Sequence, residues 1–120
     1  MRDANQVARD YIALWNETDA TRRQALLTST WTSDASYIDP LMSGEGHAGI
    51  SALIDGVHKR FPDFRFSLTK PADGFGNRVR FSWGLGPEGS EPIIKGTDFV
   101  LRKEDRIASV TGFLDQVPAM

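Results

Sequence analysis

The hydrophobic repeat of this chain changes once, near Pro62, from helical to strand spacing, and no other feature limits its fold as much. Val7, Tyr11, Leu14 and Trp15 stand at i, i+4, i+7 and i+8, which puts them on one helical face. Asp3 or Asn5 is placed to cap that helix, which should end near Asn16-Glu17-Thr18-Asp19. A shorter helix is predicted from about Thr21 to Thr30, with Asp19 or Thr21 as its cap. Ala25, Leu26 and Leu27 would be its buried side, with Trp31 close behind. Ala35 to Asp39 reads as a short strand that Pro40 stops. The loop from Leu41 to His47 leads into a third helix, where Ile50, Leu53, Ile54, Val57 and Phe61 keep the apolar stripe and Pro62 closes it.

Beyond Pro62 the period is two. Phe64, Phe66 and Leu68 alternate with Arg65, Ser67 and Thr69. Val79, Phe81, Trp83 and Leu85 alternate with Arg80, Ser82 and Gly84. Gly74-Phe75-Gly76-Asn77 supplies the turn between these strands, and Gly86-Pro87-Glu88-Gly89-Ser90 the next connection. Ile93 to Arg102 and Arg106 to Asp115 are two further strands, joined by the hairpin Lys103-Glu104-Asp105. Helices first and hairpin strands afterwards make an α+β fold with a mainly antiparallel sheet. Long strands with one apolar face must curl over the three helices, and the resulting cup encloses a pocket suited to a small ligand.

A chain of 120 residues holds one domain, here residues 1–120, and is too short for two cores. The net charge is only −2 and the basic residues are scattered, so nucleic acid is a poor partner. There is no cysteine, which excludes a disulfide scaffold, a thiol nucleophile and a thiolate metal site. The N-terminus lacks the apolar core of a signal peptide and no run is long enough to span a bilayer, so the expected location is the cytoplasm. His47 and His58 are too far apart for zinc spacing, and no metal is expected.

Three segments resemble the SnoaL-like polyketide cyclases and ketosteroid isomerases of the nuclear-transport-factor-2-like superfamily. Ala8-Arg9-Asp10-Tyr11-Ile12-Ala13-Leu14-Trp15 is similar to the isomerase's first helix, with its pocket tyrosine at Tyr11. Asp34 to Pro40, followed by Gly46-His47-Ala48-Gly49, resembles the segment that ends in the isomerase's general base, which falls at Asp39. Gly96 to Leu101 resembles the strand bearing its protonated acid, at Asp98, and Phe61 to Phe66 resembles the helix-to-strand junction of SnoaL-like proteins. The chain departs from the isomerase pattern in a longer stretch between Tyr11 and Asp39 and a shorter hairpin after Asp98. The resemblance implies a cone-shaped curved sheet around three N-terminal helices, a homodimer formed through the outer sheet face, no cofactor, and a small, largely apolar carbonyl compound as ligand.

Each candidate also has a plainer reading. Asp39 either takes a proton from a carbon next to a carbonyl or bonds its own turn. Asp98 shares strand parity with Ile94, Gly96 and Val100, so it either sits protonated in the pocket, as the isomerase's acid does, or pairs on the surface with Lys95 or Arg102. Tyr11 needs a partner for its hydroxyl, whether a ligand, Asp98 or a backbone carbonyl. Tyr37, Trp15, Trp83, Phe61 and Phe113 are the expected pocket walls. The functional alternatives are an isomerase or cyclase and a non-catalytic binding or dimerisation module. A third alternative, epoxide hydrolysis, would need an arginine bridging two aspartates, a place the sequence does not assign to Arg78 or Arg80.

Overall fold

Asp3 opens the first helix with a capping box. Its carboxylate accepts the Gln6 N–H while the Gln6 side chain accepts the Asp3 N–H, both at 2.9 Å. In the computed structural model, which describes residues 2–118, this helix is α1, Ala4–Asn16, and it buries Val7, Ala8, Tyr11, Leu14 and Trp15. The second helix, α2, runs Ala20–Thr30 with Asp19 as its cap. It buries Leu27 but not Ala25, which is exposed; the second buried residue is Arg23. The Arg23 guanidinium donates to the Glu17 carbonyl, the Ser51 hydroxyl and Asp55, so it ties α1 to the third helix. A saturated donor set is what lets a charge replace an apolar residue there.

The first strand, β1 (Trp31–Ile38), begins directly at the end of α2 and is longer than its sequence pattern predicts. A three-residue strand, β2 (Ser43–Glu45), pairs with it where a loop was expected. The third helix, α3 (Gly46–Arg60), has no side-chain cap. His47 anchors its start instead, with Nε2 at 3.2 and 3.0 Å from the carbonyls of Trp31 and Thr32. His58 Nε2 lies 2.7 Å from the Trp15 carbonyl and joins α3 to α1. Both histidines are thus structural.

The remaining strands are β3 (Phe64–Leu68), β4 (Asp73–Phe75), β5 (Arg78–Pro87), β6 (Ile94–Lys103) and β7 (Arg106–Gln116). β4 lies within the segment expected as a turn. The seven-stranded sheet has the order β2-β1-β7-β6-β5-β3, with β4 also on β5. All pairs are antiparallel except β1 with β7, so the sheet is mixed but mainly antiparallel. Asn16 covers the β3 edge by exchanging hydrogen bonds with the Phe66 backbone at 2.9 and 2.8 Å.

Two register shifts bend the β6–β7 ladder. One places Ala108 as an extra residue between Ile107 and Ser109, so Ile107 and Val110 both face inward despite odd spacing. Inward parity then continues through Gly112 and Leu114, opposite Asp98 and Gly96. Phe113 therefore points outward, 53% exposed, and meets Phe99 edge-on at 5.6 Å. Its assignment as a pocket wall is corrected on this ground: the bulge inverts the alternation, and Leu114 takes the inner place.

Candidate active site

The concave face of the sheet and the three helices enclose a cavity of about 80 Å³. Tyr11, Trp15, Tyr37, Asp39, Phe61, Trp83 and Asp98 line it, which is every expected site residue except Phe113. Met42, Val57, Phe66, Leu85, Ile94 and Leu114 complete the walls. The sequence stripes marked Val57, Phe66 and Leu85 as buried without saying that they faced a void. Ile94 was marked only by its strand parity with Asp98, and Met42 carried no signal, because a turn brings it in. The cavity is far smaller than the roughly 300–1,000 Å³ that drug-sized ligands occupy.

Asp98 stands in the middle of β6, facing inward and 1% exposed. The surface pairing with Lys95 or Arg102 does not occur. Arg102 instead donates to the Arg2 carbonyl at 3.0 Å and approaches Asp105. The Tyr11 hydroxyl donates to Asp98 Oδ2, and Trp83 Nε1 donates to Oδ1 at 3.0 Å. Burial pushes the Asp98 pKa up to about 6 against the opposing pull of these two donors, and the charges of Asp39 and Asp115 raise it further. Burial, then the charge of Asp98, raises the Tyr11 phenol well above its ordinary value. Tyr37 is raised by burial, by Asp98 and by its bond to Asp39.

Asp39 follows β1 directly. Its Oδ1 accepts the N–H groups of Leu41 and Met42 at 2.8 and 2.9 Å, and its Oδ2 accepts the Tyr37 hydroxyl at 2.7 Å. The plainer reading of a turn-bonding aspartate is therefore correct, and so is its placement on the cavity. Three donors hold this one carboxyl in a fixed orientation. Tyr37 thus both lines the cavity and orients the carboxylate.

Gly112 separates the two acids. A Cβ there would lie 2.8 Å from Asp98 Oδ1, 3.2 Å from Asp39 Cβ and 3.4 Å from the Tyr37 hydroxyl. Only a residue without a side chain lets the two carboxyl groups and Tyr37 converge. This role left no mark in the sequence, since strand glycines are common.

A larger hollow of about 540 Å³ lies on the outer sheet face, beside Phe75, Arg80, Phe99 and Leu101. Its acid Asp73 pairs with Arg80 at the surface. Arg78 and Arg80 are exposed there and do not line the cavity that holds the two acids. Asp115 is also exposed and accepts the Thr97 hydroxyl at 2.6 Å. Among the described residues, no three acidic or histidine side chains gather into a metal cage, and no helix is long and apolar enough to cross a membrane.

A bent, mainly antiparallel sheet cupping three helices is the architecture of the nuclear-transport-factor-2-like class. Within that class the chain belongs to the SnoaL-like domain family, which it matches over residues 8–110. It is similar to a solved candidate isomerase of that family from Agrobacterium tumefaciens, with 43% identity and a TM-score of 0.88, over 93% of this chain and 97% of that one. A candidate ketosteroid isomerase from Kribbella flavida shares the fold at 18% identity and a TM-score of 0.71, over 98% and 81% of the two chains. A ketosteroid-isomerase-like protein from Catenulispora acidiphila, solved in complex with trimethylamine, shares it at 17% identity and 0.72, over 92% and 85%. No curated protein matches the chain.

Proposed function

We propose that the protein, acting as one domain, catalyses cofactor-independent proton abstraction next to the carbonyl of a small, largely apolar compound. Asp39 takes the α-proton, and the C–H electron pair becomes the enolate double bond. Tyr11 and protonated Asp98 stabilise the oxygen that gains charge, as preorganised donors do. Asp39 then returns the proton to another carbon, which isomerises the double bond. Alternatively the carbanion closes a ring onto an electrophilic carbon and Asp39 protonates the alkoxide formed. The observation that carries this reading is the convergence on one apolar cavity of an oriented carboxylate and a separate tyrosine–acid pair. The cavity volume favours a compact substrate, or the reacting end of a longer one that emerges past the exposed Leu41.

A non-catalytic binding module is the second reading. It is favoured by one observation: all the oxygens of Asp39 and Asp98 already have partners. We also infer a homodimer through the outer sheet face, supported by the exposed Phe75, Phe99, Leu101 and Phe113.

Solvent-deuterium exchange at carbons next to the carbonyl, followed by NMR over a panel of small cyclic ketones, tests the chemistry. Exchange by the natural protein that drops about a hundredfold or more in Asp39→Asn supports a base at that position. No exchange above buffer with the fold intact moves the assignment to the binding module.

A further inference from the structure

Asp98 has two donors that differ in kind. A phenol can donate or accept, whereas an indole N–H can only donate. Oδ1 faces Trp83 Nε1 at 3.0 Å, so a proton placed on Oδ1 would meet another proton and orphan a buried N–H. Oδ2 faces the Tyr11 hydroxyl, which can reverse its direction. A proton added to Asp98 therefore settles on Oδ2 and is donated to the Tyr11 oxygen. The Tyr11 hydroxyl hydrogen is then released to a ligand. With Asp98 ionised, that hydrogen is held by Oδ2 and none is left for the ligand.

Trp83 is itself held in place. It stands opposite Gly96 in the β5–β6 register. A Cβ at position 96 would lie 2.3 Å from Trp83 Cζ2 and 2.6 Å from Cε2, so the ring lies directly on bare backbone. Phe66 packs against the same indole edge-on at 5.4 Å.

We propose that Trp83, seated on Gly96, is a positioning residue that assigns the proton of Asp98 to Oδ2 and so makes Tyr11 the donor to the ligand's oxygen. Its catalytic consequence rests on the function proposed above; the proton assignment does not. The groups that face Asp98 are Tyr11 from α1, Tyr37 and Asp39 from and after β1, and Trp83 from β5; Asp115, turned outward at the end of β7, acts on it only through its charge. Only Asp39 and Asp115 among these carry charge, and no lysine, arginine or histidine lines the cavity among the described residues.

NMR titration of the labelled protein tests the assignment without any substrate. In the natural protein the Trp83 indole resonance and the Asp98 carboxyl resonance are expected to share one midpoint near pH 6. Trp83→Phe removes a donor to the ionised acid, so the Asp98 midpoint should rise by about one pH unit. Gly96→Ala, which displaces the ring but keeps its N–H, should raise it in the same direction. The high-pH limb of deuterium exchange should follow. An indole resonance that ignores Asp98, or an unmoved midpoint in both folded variants, overturns the proposal and leaves Trp83 a wall. Titration as expected with no exchange in any ketone supports the assignment and removes the enzymatic reading instead.

Discussion

Replacing Asp98 with asparagine should stabilise this protein, increasingly so as pH rises through about 4 to 6. The buried acid has its pKa raised from an ordinary 3.8 to about 6, chiefly by desolvation. Folding therefore disfavours its ionised form. Below about pH 3 the group is protonated both folded and unfolded and contributes nothing to the pH dependence. As pH rises from about 4 to 6 the unfolded chain ionises first and the folded state loses stability; above about pH 7 the loss is complete. At about 1.4 kcal/mol per pH unit the rise to about 6 corresponds to ~3 kcal/mol. Asparagine mimics the protonated acid, because its carbonyl can accept the Trp83 N–H and its amide can donate to Tyr11. Urea unfolding at pH 4 and pH 8, read by tryptophan fluorescence, gives the comparison. The gap between variant and natural protein should widen by about 2.5 kcal/mol in favour of the variant between those pH values, since a small part of the ~3 kcal/mol is already present at pH 4. A gap that stays constant with pH, or widens in favour of aspartate, would refute the desolvation argument.

Two further substitutions probe the site and the surface. Gly112→Ala places a methyl 2.8 Å from Asp98 Oδ1, so it should cost about 1–3 kcal/mol and reduce deuterium exchange about tenfold or more, measured by urea unfolding and NMR. Unchanged exchange would show that the two acids need not converge. Phe113→Glu puts a charge on the outer face beside Phe99 and should convert a dimer to monomers in sedimentation, with exchange per folded chain retained. An unaltered oligomeric state would remove this face from the interface.

The sequence by itself determined the elements whose apolar residues repeat for three turns or more, or over several strand residues. The α1 stripe placed Tyr11 inward, and the β6 alternation put Asp98 on one face with Ile94, Gly96 and Val100 without deciding that this face is the inner one. The two short strands β2 and β4 carry three residues each and leave no periodic trace. Arg23 was invisible as a core residue, since its burial depends on acceptors from Glu17, Ser51 and Asp55, brought together only when α1, α2 and α3 pack. Phe113 was misplaced because one extra residue in β7 inverts inside and outside, and a bulge is a property of the paired ladder, not of one strand. The tertiary structure alone decided the proton chemistry. The pKa of Asp98 depends on what surrounds it, and the indole on one oxygen, the phenol on the other and the missing side chain at Gly112 reach it from three different elements.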